Sequence, residues 1–103
     1  MRLNVYTIFD TASGRYERPF AGMSDAQAIR SFGDICRDTK HPYGMHPEDY
    51  MLYRIGTFDD NTSEVVPEDA TVIAKGHELV ARAEVVDLDK DGYPMNGGMR
   101  NAQ

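Results

Sequence analysis

The stretch His46–Asp60, HPEDYMLYRIGTFDD, constrains this chain more than any other. Aromatic and aliphatic residues run almost unbroken between a proline-marked entry and an acidic turn. Tyr50, Met51, Leu52, Tyr53, Ile55 and Phe58 put apolar groups on both faces of an extended segment, whereas a strand with one wet face alternates apolar with polar. The segment therefore reads as the central strand, and both of its faces need cover. In a chain of 103 residues a helix can cover one face. The other falls to a second copy, a partner protein or the bases of a single-stranded nucleic acid.

The remaining elements fit around that strand. Leu3–Asp10, LNVYTIFD, is β-branched and aromatic and ends at the turn-prone Thr11–Gly14, with Leu3, Val5 and Phe9 on one face and Tyr6 and Ile8 on the other. Arg18–Ala21 reads as a short edge strand, since Pro19 lacks a ladder donor. Ser24–Asp38 reads as a helix: Ser24 caps it, Gln27 completes a capping box and Asp25 suits the positive end of the dipole. Ala28, Ile29, Phe32, Ile35 and Cys36 form its apolar stripe, leaving Gln27, Arg30, Ser31, Asp34, Arg37 and Asp38 outside. Gly33 is expected to allow close helix–sheet approach. Two His-Pro pairs between His41 and Pro47 disfavour helix at the residues before the prolines.

Asp59–Thr62 predicts a turn into Glu64–Val66, making a hairpin. Thr71–Ala74 reads as extended. Leu79–Val86 fits strand or helix and is taken as strand. The expected fold is α+β: a small, mainly antiparallel sheet of three to five strands with one helix, about 24–38, on one face. Residues 1–86 form a single domain in this reading, and 87–103 an irregular acidic C-terminal tail.

Composition narrows the function classes. No apolar run approaches 18 residues and no basic segment leads into an apolar one at the start, so neither a membrane span nor a signal peptide is expected. Cys36 is the only cysteine and cannot form an intramolecular disulfide, which agrees with an intracellular, reducing compartment. The net charge is −6, with seven Lys/Arg and seven Asp/Glu in residues 1–56 against four and ten in 57–103. An acidic protein is repelled by phosphates, so any nucleic-acid site must be local. Arg15, Arg18, Arg30, Arg37, Lys40 and Arg54 all lie in the neutral half, among Tyr16, Phe20, Tyr43, Tyr50 and Tyr53.

Catalytic and metal chemistry find little support. Asp87, Asp89, Asp91 and Gly92 match the opening of a calcium loop, but its twelfth position is Gly98 rather than a bidentate carboxylate. Cys36 with His41 or His46 would make a thiolate–imidazole pair, yet a cysteine on a buried stripe is a quiet thiol. His41, His46 and His77 lack zinc spacing, and no phosphate loop, serine elbow or dinucleotide glycine pattern occurs. No metal, cofactor or enzymatic activity is expected. Arg30, Asp34 and Arg37 read equally as a surface ion-pair strip or as part of a binding face. Tyr6, Tyr50, Tyr53 and Arg54 are the candidates for a base-stacking platform, although strand aromatics mostly serve cores and interfaces.

NVYTIFD at Asn4–Asp10, Pro19-Phe20, Ala28-x-Arg30-x-Phe32-x-Asp34 and Pro47-x-Asp49-Tyr50-x-Leu52-Tyr53-x-Ile55-Gly56-x-Phe58-Asp59 resemble the small nonstructural protein of gokushovirus-type Microviridae. The likeness runs from residue 1 to about residue 66. It implies a bacteriophage protein made in the host bacterial cytoplasm and absent from the mature capsid. That family is usually described as DNA-binding, with a role when single-stranded genomes are made and packaged. It supplies no catalytic or DNA-contact residue to carry over.

The resulting expectation is a non-enzymatic phage accessory protein that binds single-stranded DNA. Bases would stack on Tyr50 or Tyr53, and phosphates would meet Arg15, Arg18, Arg30, Arg37, Lys40 and Arg54. The rival is a protein-interaction module acting on phage replication or capsid proteins or on a host protein. A two-fold homodimer is expected in addition, because two strands are apolar on both faces while one helix is available as cover.

Overall fold

The computed structural model describes residues 1–86, with side chains to Arg82. The expected tail, 87–103, and its calcium-like Asp87, Asp89, Asp91 and Gly92 lie outside the described residues. The two stretches richest in β-branched and aromatic residues become β1 (Arg2–Asp10) and β4 (Tyr50–Asp59), paired antiparallel along their length. Two short strands, β2 (Arg15–Tyr16) and β3 (Phe20–Gly22), share the far side of β1, and β5 (Val65–Lys75) flanks β4. The sheet thus has five antiparallel strands in the order β2-β1-β4-β5, with β3 beside β2 on β1. The expected edge strand at Arg18–Ala21 begins later, at Phe20, because Pro19 sits in the link rather than in the ladder.

The acidic turn closes the β4–β5 hairpin as its chemistry predicts. Asp59 N–H donates to the Glu64 carbonyl at 2.9 Å, while the Asp59 carboxylate accepts from Asn61 N–H at 2.8 Å. Ser63 takes a left-handed φ of 66° to complete the turn. β5 then runs through the expected Thr71–Ala74 segment as one continuous strand.

α1 (Asp25–Cys36) starts where the cap says it should: Ser24 is extended and its Oγ accepts from Gln27 N–H at 3.2 Å. Ala28, Phe32, Gly33 and Cys36 are its buried residues, and Ile29 packs at the margin. Ile35, expected on the buried stripe, is instead 37% exposed, because the buried arc is centred nearer Phe32. Both His-Pro pairs mark starts of short turns, α2 (Pro42–Met45) and a 3-10 turn (Pro47–Asp49), with each histidine non-helical before its proline.

Leu79–Val86, taken as strand from its sequence, belongs instead to α3 (Gly76–Val86), which begins directly at the end of β5. Its valines favour strand locally, but Leu79 is drawn into the core with Tyr6, Ile8, Ala28, Phe32, Cys36 and Leu52. Tertiary burial overrides propensity here. Gly33 borders this contact: a Cβ there would stand an ordinary 3.5 Å from Leu79 Cδ1, so α1 meets α3 at this point rather than the sheet. The helices therefore gather on one face of the sheet. Among the described residues, no helix is long and apolar enough to cross a membrane.

The edges of the sheet are blunted. β2 and β3 are two and three residues long. β5 carries Pro67, Glu68 and Asp69, and its register with β4 shifts twice, between Leu52 and Tyr53 and between Arg54 and Gly56. Short strands, proline, charge and bulges are the ordinary guards against strand addition.

Candidate nucleic-acid interface

Strand parity decides which aromatics can meet a ligand. Leu52 lies opposite Ile8 and Ala74 and faces the helices; its neighbours Met51 and Tyr53 therefore face the other way. On that open face Tyr53 lies opposite Thr7 and Val72, and Met51 lies opposite Phe9, which in turn lies opposite Tyr16. The rings converge: Phe9 and Tyr16 have centroids 4.6 Å apart, Tyr16 and Tyr53 5.6 Å, and Phe9 and Tyr53 6.2 Å. Tyr16 is 53% exposed, and Thr7 is buried beneath this group with its hydroxyl donating to the Glu17 carbonyl at 2.6 Å.

The expected platform of Tyr6, Tyr50, Tyr53 and Arg54 is divided by the same parity. Tyr6 is fully buried on the helix face and donates its hydroxyl to Asp25 at 2.7 Å. Tyr50 also belongs to the helix side, its ring 4.4 Å from that of Tyr43, whose hydroxyl donates to Glu17. Burial, reinforced for Tyr43 by Glu17 and for Tyr50 by nearby Asp10, Glu17 and Asp49, pushes both phenols above their ordinary range and keeps them neutral. Arg54 lies opposite Tyr6 and is held by Asp25, with Glu68 at 3.5 Å from its Nε. Tyr53 alone of the four faces outward.

The cations divide as well. Arg30, Arg37 and Lys40 belong to α1 and the segment after it, on the helix side, and Arg37 is paired with Asp34 at 2.9 Å. Arg15 and Arg18 are exposed at the β2 edge, but Arg15 lies opposite Asp10 and so shares the helix side with Tyr50. Arg15, Arg18, Arg30, Lys40 and Lys75 make no ion pair with a described residue. Phe9, Tyr16 and Lys75 were not among the expected contact residues. The apolar parity of Leu3, Val5 and Phe9 was the signal that could have found Phe9, while Lys75 depends on a register no local pattern reveals.

Other chemistry is sparse among the described residues. His46, Glu48 and Asp49 bring three potential ligand atoms within 4.8 Å of one another around the 3-10 turn, but His46 and Glu48 are exposed, as in an ordinary acidic turn. Cys36 is buried, and that burial pushes its thiol up to about 11, so it has no thiolate to offer at neutral pH.

A five-stranded antiparallel sheet with helices on one face and an aromatic cluster on the other defines a small α+β protein. The family model described as Phage ORF5 protein matches residues 3–79, most of the chain, and the protein belongs to that phage family. No curated protein and no solved structure matches the chain significantly.

Proposed function

We propose that this phage protein is a non-enzymatic accessory factor that binds single-stranded DNA while viral genomes are made or packaged in the host bacterial cytoplasm. The Microviridae resemblance motivates the reading. The observation that carries it is the open sheet face, where Phe9, Tyr16 and Tyr53 meet with no helix of the described residues above them. Aromatic groups on an open sheet are how several single-strand-binding folds stack unpaired bases. Fluorescence anisotropy of a labelled single-stranded oligonucleotide at low salt tests it. Saturable binding that weakens as salt is added is expected, and absence of binding at low salt retires the reading.

The net charge of −6 favours the alternative, an interaction module for a phage replication or capsid protein or a host protein. A specific protein retained after nuclease treatment, together with no DNA affinity, would select it. The same apolar face supports self-association as a two-fold dimer, which sedimentation at micromolar concentration reads directly.

A further inference from the structure

The register places one continuous row across four strands of the open face. Tyr16 on β2 lies opposite Phe9 on β1, Phe9 opposite Met51 on β4, and Met51 opposite Lys75 on β5. Directly opposed residues share a face, so the row is aromatic and apolar in its middle and cationic at its β5 end. Arg18 supplies a cation at its β2 end, two residues beyond Tyr16, whereas Arg15, opposite Asp10 and so on the side of Tyr50, faces the helices. Tyr53 stands in the adjacent row and closes the ring cluster with Phe9 and Tyr16. At the usual strand spacing the row spans about 14 Å.

The carboxylates that follow Phe9 and Tyr16 in the chain are engaged elsewhere. Asp10 accepts from the Ala12 and Ser13 amides at 2.9 and 3.3 Å, and Glu17 takes the Tyr43 hydroxyl on the helix side. At the far end of the β4–β5 hairpin, Glu64 is paired with Arg2, and on β5 Glu68 is paired with Arg54. The row is therefore a cation–aromatic–cation track on a protein of acidic net charge.

Resting on the single-strand reading above, we propose that unpaired nucleic acid lies across the strands along the Tyr16–Phe9–Met51–Lys75 row. Bases stack on Tyr16 and Tyr53, phosphates reach Lys75 at one end and Arg18 at the other, and Arg15, Arg30, Arg37 and Lys40 of the helix side take no part. A row of this span holds about four nucleotides at the 3.4 Å spacing of a stacked strand. Duplex is refused, because paired bases present no free faces to the rings. Two phosphate contacts at a loss of ~0.7 per contact give a log–log salt slope of about −1.4, shallow for a nucleic-acid binder.

The test compares full-length variants binding a labelled single strand and the corresponding duplex, with unperturbed circular dichroism required of each. Tyr16→Ala, at an exposed position, and Tyr53→Leu, which keeps apolar volume but removes the ring, should each weaken single-strand binding roughly 5- to 100-fold. Lys75→Gln should flatten the salt slope by about 0.7, while Arg30→Gln with Lys40→Gln should change neither quantity. Tyrosine fluorescence should be quenched on binding, and that quenching should shrink in Tyr16→Ala. Undiminished binding in both ring variants with loss in the Arg30/Lys40 pair overturns the track while leaving single-strand binding standing. Equal affinity for duplex overturns it too. No binding by the unaltered protein removes the single-strand reading itself and the track with it.

Discussion

The Tyr6 hydroxyl donates to the Asp25 carboxylate at 2.7 Å, fastening the middle of β1 to the first turn of α1. Asn4 Nδ2 adds a bond to the Tyr6 oxygen at 3.0 Å, and Arg54 reaches the other oxygen of Asp25. One carboxylate thus ties two strands to the helix that covers them. Tyr6→Phe keeps the ring and removes the hydroxyl. It should cost about 1 kcal/mol of unfolding free energy by urea denaturation, since Asp25 retains Arg54. Asp25→Ala should cost more, because it leaves Arg54 with Glu68 alone and strips the helix of its first-turn acid.

Cys36 gives a pH dependence with a definite sign. Burial lifts its thiol from 9.0 to about 11, so the neutral form is preferred in the folded chain. The associated stability is complete below the unfolded value and is lost as pH rises from 9.0 through about 11. Thermal unfolding of the unaltered protein and of Cys36→Ala across that window should show a steeper alkaline loss in the former. At neutral pH an alkylating reagent should label Cys36 only as fast as the fold opens.

Asp59 should act at the other end of the pH scale. The Asn61 amide, then the N-terminal ammonium, the Thr62 amide and Arg2, outweigh the opposing effect of desolvation and hold its carboxyl below the ordinary 3.8. Its contribution is present above that value and disappears as pH falls through and below it. Asp59→Asn should therefore narrow the stability difference between pH 6 and pH 3 in an acid titration followed by circular dichroism.

Gly76 sits at the junction of β5 and α3. A Cβ there would lie 2.5 Å from the Pro47 carbonyl oxygen, 3.1 Å from Cys36 Sγ and 3.2 Å from the Tyr50 carbonyl oxygen. Two of those neighbours are backbone and cannot swing aside. Gly76→Ala should destabilise by about 1–3 kcal/mol, a cost of overpacking visible as a lower urea midpoint with an unchanged slope.

Residues that act through local chemistry were legible in the sequence. Ser24 and Gln27 located the start of α1, the Asp59–Thr62 turn located the hairpin, and the doubly apolar Tyr50–Phe58 run identified the central strand. Leu79 was not legible, since its helix is decided by a socket beside Gly33 that exists only after α1 has packed. The candidate site failed on parity. Tyr50 and Tyr53 are three residues apart on one strand and therefore on opposite faces, and Arg54, two residues after Leu52 in unbroken register, falls with Tyr6 on the helix side. Lys75 joins the face only through the β4–β5 register, which depends on two irregularities that no local pattern announces.

The guarded rims of the sheet have a further implication. With two- and three-residue strands on one side and Pro67, Glu68 and Asp69 on the other, the ladder offers poor purchase for lateral growth. The broad surface that carries Phe9, Tyr16 and Tyr53 is the face on which the proposed contacts would have to be made. A second copy and a nucleic-acid strand would be rivals for the same ground, so adding either should drive the other off. Protein concentration would then help to set how much of that surface is free to meet a genome.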